Sequence, residues 1–247
     1  MKALYFTILL SLCVVNLHSQ SLSAKIIYNV SSENVLPPEP EYLNFGWTDG
    51  LKTIADEKPI KFILTIHGHE ALFEPEFDLP TKKKLGYTYD RAAKLAEHDK
   101  IYYYNGKTGQ SFFQSFWSKH YLVSVDRPEW TYTDETKKIG GYNCKKAVLS
   151  TKFDKIKGLE YVAPVEAWFT PEIQTGGIGI QYLHGLPGLM LEVTSYFDEG
   201  TITFTATSID LNLERNISIE KPRAEKLISQ TEYVEMIKKR VNNRNRM

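Results

Sequence analysis

The sequence predicts a mainly β fold: a strongly curved antiparallel sheet or half-open barrel with a C-terminal helix. Two observations support this prediction. Many short segments alternate apolar and polar residues, which is the period of a strand with one buried face. Aromatic residues, which favour strands, make up 13% of the chain. Helical periodicity is strong only near the C-terminus. A chain of 247 residues can form this architecture as one domain.

Residues 1–20 predict a signal peptide. Lys2 supplies a positive charge, Ala3 to Val15 form an apolar run with few interruptions, and residues 16–20 are polar. The run is too short to span a bilayer comfortably and has the flanks of a cleavable leader. We expect residues 21–247 to form a single exported domain in the periplasm, at the outer membrane or outside the cell. A helix that stays inserted in the membrane is the alternative.

The first half of the exported chain contains several predicted strands and two short helices. Phe62, Leu64 and Ile66 alternate with other residues, so this segment has one strongly buried face. Asn105–Gly109 joins two aromatic strands and contains two glycines, which is typical of a hairpin. The predicted strands are Ala24–Val30, Lys61–Ile66, Ala71–Phe73, Ile101–Tyr104, Gln110–Trp117 and Tyr121–Val125, and the predicted helices are Asp49–Asp56 and Tyr89–His98.

The second half continues the strand pattern and ends in a helix. Apolar residues occupy even positions from Ile202 to Ala206 and odd positions from Ile209 to Leu213. One extra residue near Thr207 explains this switch, either as a β-bulge or as a bend. Apolar residues at helical spacing after Pro222 predict a terminal helix that begins there. The predicted strands are Thr131–Thr133, Tyr142–Ser150, Tyr161–Thr170, Leu189–Val193 and Thr201–Ala206.

Charge and motif content argue against several function classes. Lys and Arg total 30 and Asp and Glu total 30, whereas nucleic-acid binding normally needs a basic excess. Removal of the leader leaves only Cys144, so no intramolecular disulfide is expected, and its strand position favours a buried thiol. The sequence contains no phosphate-binding Gly-rich loop, no Gly-x-Ser-x-Gly elbow and no Cys-x-x-Cys pair.

The most informative motif is Gly185-Leu186-Pro187-Gly188-Leu189-Met190. Pro187 restricts φ and Gly188 can adopt positive φ, which is the pattern of a type II turn. Leu189 and Leu191 then lie on one face of the following strand. Turn chemistry accounts for the motif as a register-setting turn at a sheet edge. The alternative is that Gly185 to Gly188 forms the lip of a ligand pocket.

The motif resembles the one that names the GLPGLI family of exported bacterial proteins, with Met190 in place of the final Ile. Further matching stretches are Trp130–Lys138, Gly141–Ala147 and Ala167–Ile173. The chain is also similar, more distantly, to the bowl-like N-terminal module of some bacterial N-glycosidases. Both resemblances imply a curved antiparallel sheet, comparable to periplasmic lipoprotein carriers, and the family implies export in Bacteroidetes-like bacteria. Neither implies a reaction.

Two sets of candidate site residues follow. The first combines the turn with nearby aromatic residues and a histidine as a ligand-binding set: Trp168, Phe169, His184, Gly185, Leu186, Pro187 and Gly188. His184 could also act as a base, with Glu166 or Glu192 as its partner. The second set is His67 and His69, which would share a face of a regular strand as metal ligands do. No third ligand is readable, and solvated loop histidines are the alternative.

Two functions remain open. The preferred hypothesis is a non-catalytic binding or chaperone-like module of the cell envelope. It would need no cofactor and would hold an apolar ligand, a peptide or an outer-membrane protein, without binding nucleic acid and without a transmembrane segment in the mature chain. The export signal, the aromatic strands and the lack of catalytic motifs favour it. The alternative is a metal-dependent hydrolase that uses His67 and His69.

Overall fold

The computed structural model describes residues 22–33, 60–76, 92–116, 120–149, 165–197, 200–213 and 217–244. They form one open, mostly antiparallel sheet of twelve strands with a C-terminal helix, which confirms the predicted fold class. The elements are β1 (Ser23–Glu33), β2 (Ile60–His67), β3 (Glu70–Pro75), β4 (Lys100–Asn105), β5 (Gln110–Ser115), β6 (Tyr121–Ser124), β7 (Thr131–Ile139), β8 (Tyr142–Leu149), β9 (Val165–Thr170), β10 (Leu189–Phe197), β11 (Gly200–Asp210), β12 (Lys226–Ile228) and α1 (Gln230–Arg244).

The sheet consists of two meanders that meet at its centre. From β1 the strands β2 to β6 follow in order toward one edge, and β7 to β11 run back from the opposite edge. β1 therefore pairs with β2 on one side and with β11 on the other. Successive strands joined in this way are antiparallel, because a parallel pair needs a long crossover. Among the described strands the exception is β12, which pairs in parallel with β6. Strands β7 to β11 lie between the two in the chain, so the connection is long enough for parallel pairing.

Apolar side chains concentrate on one face of the sheet, which we call the inner face. Ile26 and Leu64 are fully buried there. An aromatic cluster occupies the same face: the Phe62 ring centroid lies 5.0 Å from that of Phe73 and 5.4 Å from that of Phe204. Every second residue of β2 is buried, as the alternating pattern predicts. Removal of this apolar surface from water is the main stabilising contribution.

Two segments of the chain cover the inner face. One is a helical turn at residues 92–95, in which Ala92 and Leu95 are buried. The other is the β9–β10 connection, residues 171–188. The Gln181 amide donates a hydrogen bond of 3.1 Å to the Ala96 carbonyl oxygen, so the two segments hold each other in place. The connection contributes buried residues to the core: Ile173, Ile178, Ile180, Leu183 and Leu186. In the described part of the chain, the protein's own side chains thus occupy the inner face.

A β-bulge interrupts the pairing of β1 with β11. Ile27 pairs with Ser208 and Tyr28 pairs with Ala206, so Thr207 is the extra residue. The Thr207 hydroxyl donates to the Ile27 carbonyl oxygen at 3.2 Å. This confirms the bulge that the phase switch predicts near Thr207.

A second register shift lies in β10, between Met190 and Glu192 where the strand pairs with β9. Such shifts leave backbone groups without a ladder partner. The Tyr28 hydroxyl of β1 donates to the Met190 carbonyl oxygen at 2.7 Å. Burial raises the pKa of Tyr28, so this hydroxyl stays protonated and able to donate. A side chain from the sheet centre therefore supplies the partner that the shifted ladder lacks.

The C-terminal helix begins later than the apolar periodicity predicts. It starts at Gln230 instead of Pro222, and Lys226–Ile228 forms β12. A capping box sets the start. The Ser229 hydroxyl accepts the Glu232 backbone N–H at 3.1 Å, and the Glu232 carboxylate accepts the Ser229 N–H at 2.7 Å. The Ser-x-x-Glu pattern marks this start in the sequence, whereas periodicity alone does not.

The other predicted elements have mixed outcomes. β7 runs to Ile139 instead of ending at Thr133. Residues 92–95 are helical within the predicted helix Tyr89–His98, while residues 89–91, the predicted helix Asp49–Asp56 and the predicted leader lie outside the described residues. Cys144 is buried, as its strand position predicts. Within the described ranges, no helix combines the length and apolar character needed to cross a membrane.

Candidate functional site

The Gly-Leu-Pro-Gly turn does not have the predicted type II geometry. Positive φ is found at Gly185, with 99°, and not at Gly188. Gly188 is required for a different reason, because a Cβ atom there would lie 2.0 Å from the Thr170 carbonyl oxygen. Leu186 and Gly188 are buried, whereas Pro187 is exposed. The turn therefore packs tightly against the end of β9 and leads directly into β10.

His184 lies just before this turn and is 4% exposed. Its Nδ1 atom lies 3.1 Å from the Tyr182 carbonyl oxygen. Because a carbonyl oxygen can only accept, Nδ1 carries the proton, and Nε2 of the neutral imidazole has a free lone pair. No residue in the described part of the chain hydrogen-bonds Nε2. Burial lowers the pKa of His184, the bond to Tyr182 offsets this in part, and Arg127 lowers it further.

Residues from two other parts of the chain, β4 and the β6–β7 connection, surround His184. The Tyr104 ring centroid lies 4.9 Å from that of the imidazole. Trp130 Nε1 donates to the His184 carbonyl oxygen at 2.9 Å. Arg127 lies over the next residue, since its Nε would be 3.1 Å from a Cβ placed on Gly185. Glycine at this position leaves room for the guanidinium. We call these five residues the Arg127–His184 site.

The Arg127–His184 site combines a cation with a neutral imidazole. Arg127 is exposed, and within the described ranges it pairs with no carboxylate. A guanidinium binds carboxylates and phosphates through two parallel hydrogen bonds. The free Nε2 atom of His184 can accept one hydrogen bond, or donate one after protonation. Arg127 can therefore hold an anionic group at the surface of the protein, and His184 can donate a second hydrogen bond to that group only after Nε2 is protonated.

The predicted aromatic pair Trp168 and Phe169 does not share a face. Phe169 lies on the inner face and is 1% exposed. Trp168 points to the opposite face, which we call the outer face, because successive strand residues alternate. The structure thus places His184 and Gly185 together but separates Trp168 from them. Ligand binding by these residues stays a prediction.

Charged residues surround Trp168 on the outer face. Lys137 Nζ lies 4.3 Å from the indole centroid and 2.7 Å from Glu192 Oε1. Lys146 Nζ lies 5.7 Å from the indole centroid and 3.2 Å from Glu166 Oε2. Both carboxylates proposed as partners of His184 therefore pair with lysines on the other side of the sheet. That pairing hypothesis is wrong, and the Tyr182 carbonyl orients the imidazole instead.

His67 and His69 do not lie on one regular strand. β2 ends at His67, and Gly68 and His69 form the turn to β3, with a φ of 63° at Gly68. His67 Nδ1 lies 2.9 Å from the Ser23 hydroxyl oxygen, so this ring nitrogen already has a partner. Among the described residues, no group of three or more His, Cys, Asp or Glu side chains is placed to hold a metal ion. The geometry gives the metal-hydrolase alternative no support.

A half-buried ionic cluster lies between the helical turn and β4. The Glu97 carboxylate accepts hydrogen bonds from Lys100 Nζ and the Tyr102 hydroxyl. Glu97 has a φ of 57°, where glycine is the usual residue after a helix. Burial lowers the pKa of Lys100, but Glu97 outweighs this effect and the net shift is upward. Since these groups satisfy one another, we assign the cluster a structural role.

A surface cavity of about 630 Å³ lies at the β7–β8 hairpin. Lys138 and Lys145 are exposed in its lining, and the Glu172 carboxylate there accepts the Asn143 backbone N–H at 2.8 Å. Cys144 also borders the cavity. Burial raises the pKa of Cys144, which keeps the sulfur as an unreactive thiol. The cavity contains no residue of the predicted ligand-binding set.

Arg127, Tyr104 and Trp130 carry no local sequence signal for the site that they form. Arg127 lies in an Asp-Arg-Pro loop, and Tyr104 belongs to a run of three tyrosines that reads as core. Their proximity to His184 depends on the path of residues 171–188 across the inner face. That path is a tertiary property, so strand periodicity cannot reveal it.

The chain resembles two solved structures of PNGF-II, an N-glycosidase, in C2 and P21 space groups. The TM-scores are 0.47 and 0.48, with 18% and 19% sequence identity. The matches cover 87% of this chain but only 32% and 33% of the PNGF-II chains, so this chain spans about a third of their length. This similarity fits the predicted distant likeness to N-glycosidase modules only loosely. No family profile and no curated protein matches the chain, and membership of the GLPGLI family stays a prediction.

Proposed function

We propose that this protein is an exported, non-catalytic binding module of the cell envelope. The observation that supports the binding role is the Arg127–His184 site, where an exposed guanidinium lies beside an imidazole with an unpaired Nε2. The described part of the inner face is occupied by residues 171–188, which argues against an apolar ligand held there. A peptide or partner protein that presents a carboxylate fits the exposed cation better.

The binding role is tested by NMR of the His184 imidazole nitrogens. The probe is a mixture of tripeptides with free C-termini, and the control is the same mixture with amidated C-termini. We expect the free acids to shift the Nε2 resonance and the amides to leave it unchanged. Arg127→Gln should weaken the effect by at least about tenfold, because the loss of a charge-assisted contact costs roughly 1.5 kcal/mol or more.

Lys138→Gln is the matched control, because it removes an exposed cation from the β7–β8 hairpin instead of from this site. It should leave peptide binding unchanged. Equal shifts with acids and amides, or no shift with either, would contradict carboxylate binding. Export is tested separately by fractionation of the native cells, where full-length protein retained in the cytoplasm would contradict the envelope location.

A further inference from the structure

β7 is the last strand of the sheet at one edge, and its outward side pairs with no other strand among the described residues. Most of its residues are exposed. Unpaired backbone N–H and C=O groups along such an edge are a template for another strand. Charged side chains normally protect an edge of this kind against pairing. The order of the charges on β7 therefore decides which strand can join it.

The charges on β7 reverse sign around Thr136. Asp134 and Glu135 precede it, and Lys137 and Lys138 follow it. Two copies of β7 that pair antiparallel about a two-fold axis at Thr136 place position 134 opposite 138 and position 135 opposite 137. Each copy then meets opposite charges at all four positions, and opposite charges on facing strands attract.

Other registers do not give this match. A shift of one residue in either direction leaves a single kind of opposite-charge pair, Asp134 with Lys137 or Glu135 with Lys138, and leaves the other two charges opposite uncharged residues. Parallel pairing in register places like charges opposite each other, which is unfavourable. The pattern thus selects one arrangement, with a second copy of the chain as the partner, and disfavours unrelated strands.

Two of these four charged residues form ion pairs within the chain, and the other two can pair with a second copy. Glu135 Oε1 lies 3.1 Å from Lys146 Nζ, and Lys137 pairs with Glu192 on the outer face. Asp134 and Lys138 are exposed and form no ion pair with any residue that the structure describes. In the antiparallel arrangement Asp134 of each copy faces Lys138 of the other copy, which has the opposite charge.

A bulge limits the length of this pairing. Between Tyr132 and Thr136 the register with β8 shifts, so residues 133–135 are irregular, and Asp134 and Glu135 lie in this stretch. The facing positions given above are those of an extended strand, and within residues 134–138 only 136–138 pair regularly with β8. A bulge increases the local twist of an edge and shortens the stretch that can pair. A short contact held mainly by charge gives a weak association that salt screens.

We propose that two copies of this protein associate edge to edge through β7, with Asp134 of one copy facing Lys138 of the other. The proposal does not depend on the Arg127–His184 site, which includes Trp130 just before β7 but none of the residues 134–138. It extends the open sheet across the two-fold axis and covers the edge that each copy leaves unpaired.

The experiment uses two single charge reversals, Asp134→Lys and Lys138→Asp, in the exported chain. Sedimentation equilibrium should show a reversible dimer of the wild-type protein that weakens as salt increases. Each variant alone places like charges opposite each other and should dissociate at least about tenfold more readily. An equimolar mixture of the two variants restores both opposite-charge pairs and should dimerise again.

Lys226→Asp is the matched control, because it reverses an exposed lysine on β12 at the opposite edge of the sheet. It should dimerise as the wild-type protein does. Thermal unfolding of all variants verifies that they are folded. A wild-type protein that is monomeric at every concentration overturns the proposal. So does a dimer that survives both reversals, or a mixture that does not recover.

Discussion

At the residue scale, Gly188 has the strictest steric requirement in the turn. A Cβ atom there would lie 2.0 Å from the Thr170 carbonyl oxygen and 2.6 Å from the carbonyl carbon. These are backbone atoms at the end of a strand and cannot rotate away, so β9 or the turn must move. We predict that Gly188→Ala lowers the free energy of unfolding by more than about 3 kcal/mol, measured by chemical denaturation.

Gly140→Ala provides the comparison for this prediction. Gly140 has a positive φ of 55°, but no atom lies within 4 Å of a Cβ placed on it. Its substitution introduces backbone strain alone, which costs about 1 kcal/mol. Equal losses in the two variants would show that the contact with Thr170 is not the reason for glycine at position 188.

Individual residues could be predicted from the sequence where the strand pattern decides their environment. Cys144 is buried as predicted, because it lies in a strand and behaves as a small apolar residue. The sequence also predicts that glycine is needed at position 188, but for its backbone angle and not for its contact with Thr170. That contact joins the turn to the end of β9, and no local pattern records which backbone atoms approach a glycine.

At the element scale, Tyr28 links β1 to the shifted ladder of β10. Its hydroxyl donates to the Met190 carbonyl oxygen at 2.7 Å, and both residues are fully buried. Tyr28→Phe keeps the ring in place but leaves the carbonyl without this donor. We predict a loss of about 1 to 3 kcal/mol in the free energy of unfolding, because a buried acceptor loses its partner.

Tyr132→Phe is the control for this prediction, since Tyr132 is 57% exposed and its hydroxyl can bond to water. It should change stability by less than about 0.5 kcal/mol. Thermal or chemical denaturation measures both variants. A Tyr28→Phe protein as stable as the wild type would show that Met190 finds another donor.

Elements with alternating burial could be predicted from the sequence, and those without it could not. β2 has one fully buried face, and its period of two is clear. β7 lies at the edge and is exposed on both faces, so it has no alternating pattern that would predict a strand beyond Thr133. β12 has three residues, too few to show a period, and the following apolar residues continue into α1.

At the scale of the whole molecule, two histidines make the free energy of unfolding depend on pH. Burial lowers the pKa of both His98 and His184 below the ordinary value of 6.5. Below that value the unfolded chain takes up protons at these rings while the folded chain does not. Their contribution to stability is therefore present above pH 6.5 and is lost as the pH falls toward the folded-state pKa values.

We predict that His184→Gln makes the free energy of unfolding fall less steeply with acid, measured by denaturant titration over a series of pH values. His69→Gln replaces an exposed imidazole that forms no ion pair with any described residue, and it serves as the control. It should keep the wild-type pH dependence. A His184→Gln protein with an unchanged slope would show that the imidazole is not kept neutral by its surroundings.

The architecture as a whole could be predicted only in outline. Periodicity and aromatic content predict an antiparallel sheet with a terminal helix, and both are present. The order of the strands, and the path of residues 171–188 across the inner face, depend on contacts between distant segments. The Arg127–His184 site arises from that path, which explains why the sequence indicates His184 and Gly185 but not Arg127.

The central position of β1 has a consequence for when the protein can fold. β1 is the first described strand, and one of its two neighbours, β11, is formed by residues 200–210 near the other end of the chain. The two halves of the sheet join only through this pairing of distant segments, which is slow to form. A chain still being synthesised or threaded through a membrane channel cannot complete its sheet. This order of folding is compatible with the export proposed above, in which the chain would cross the membrane before its sheet forms.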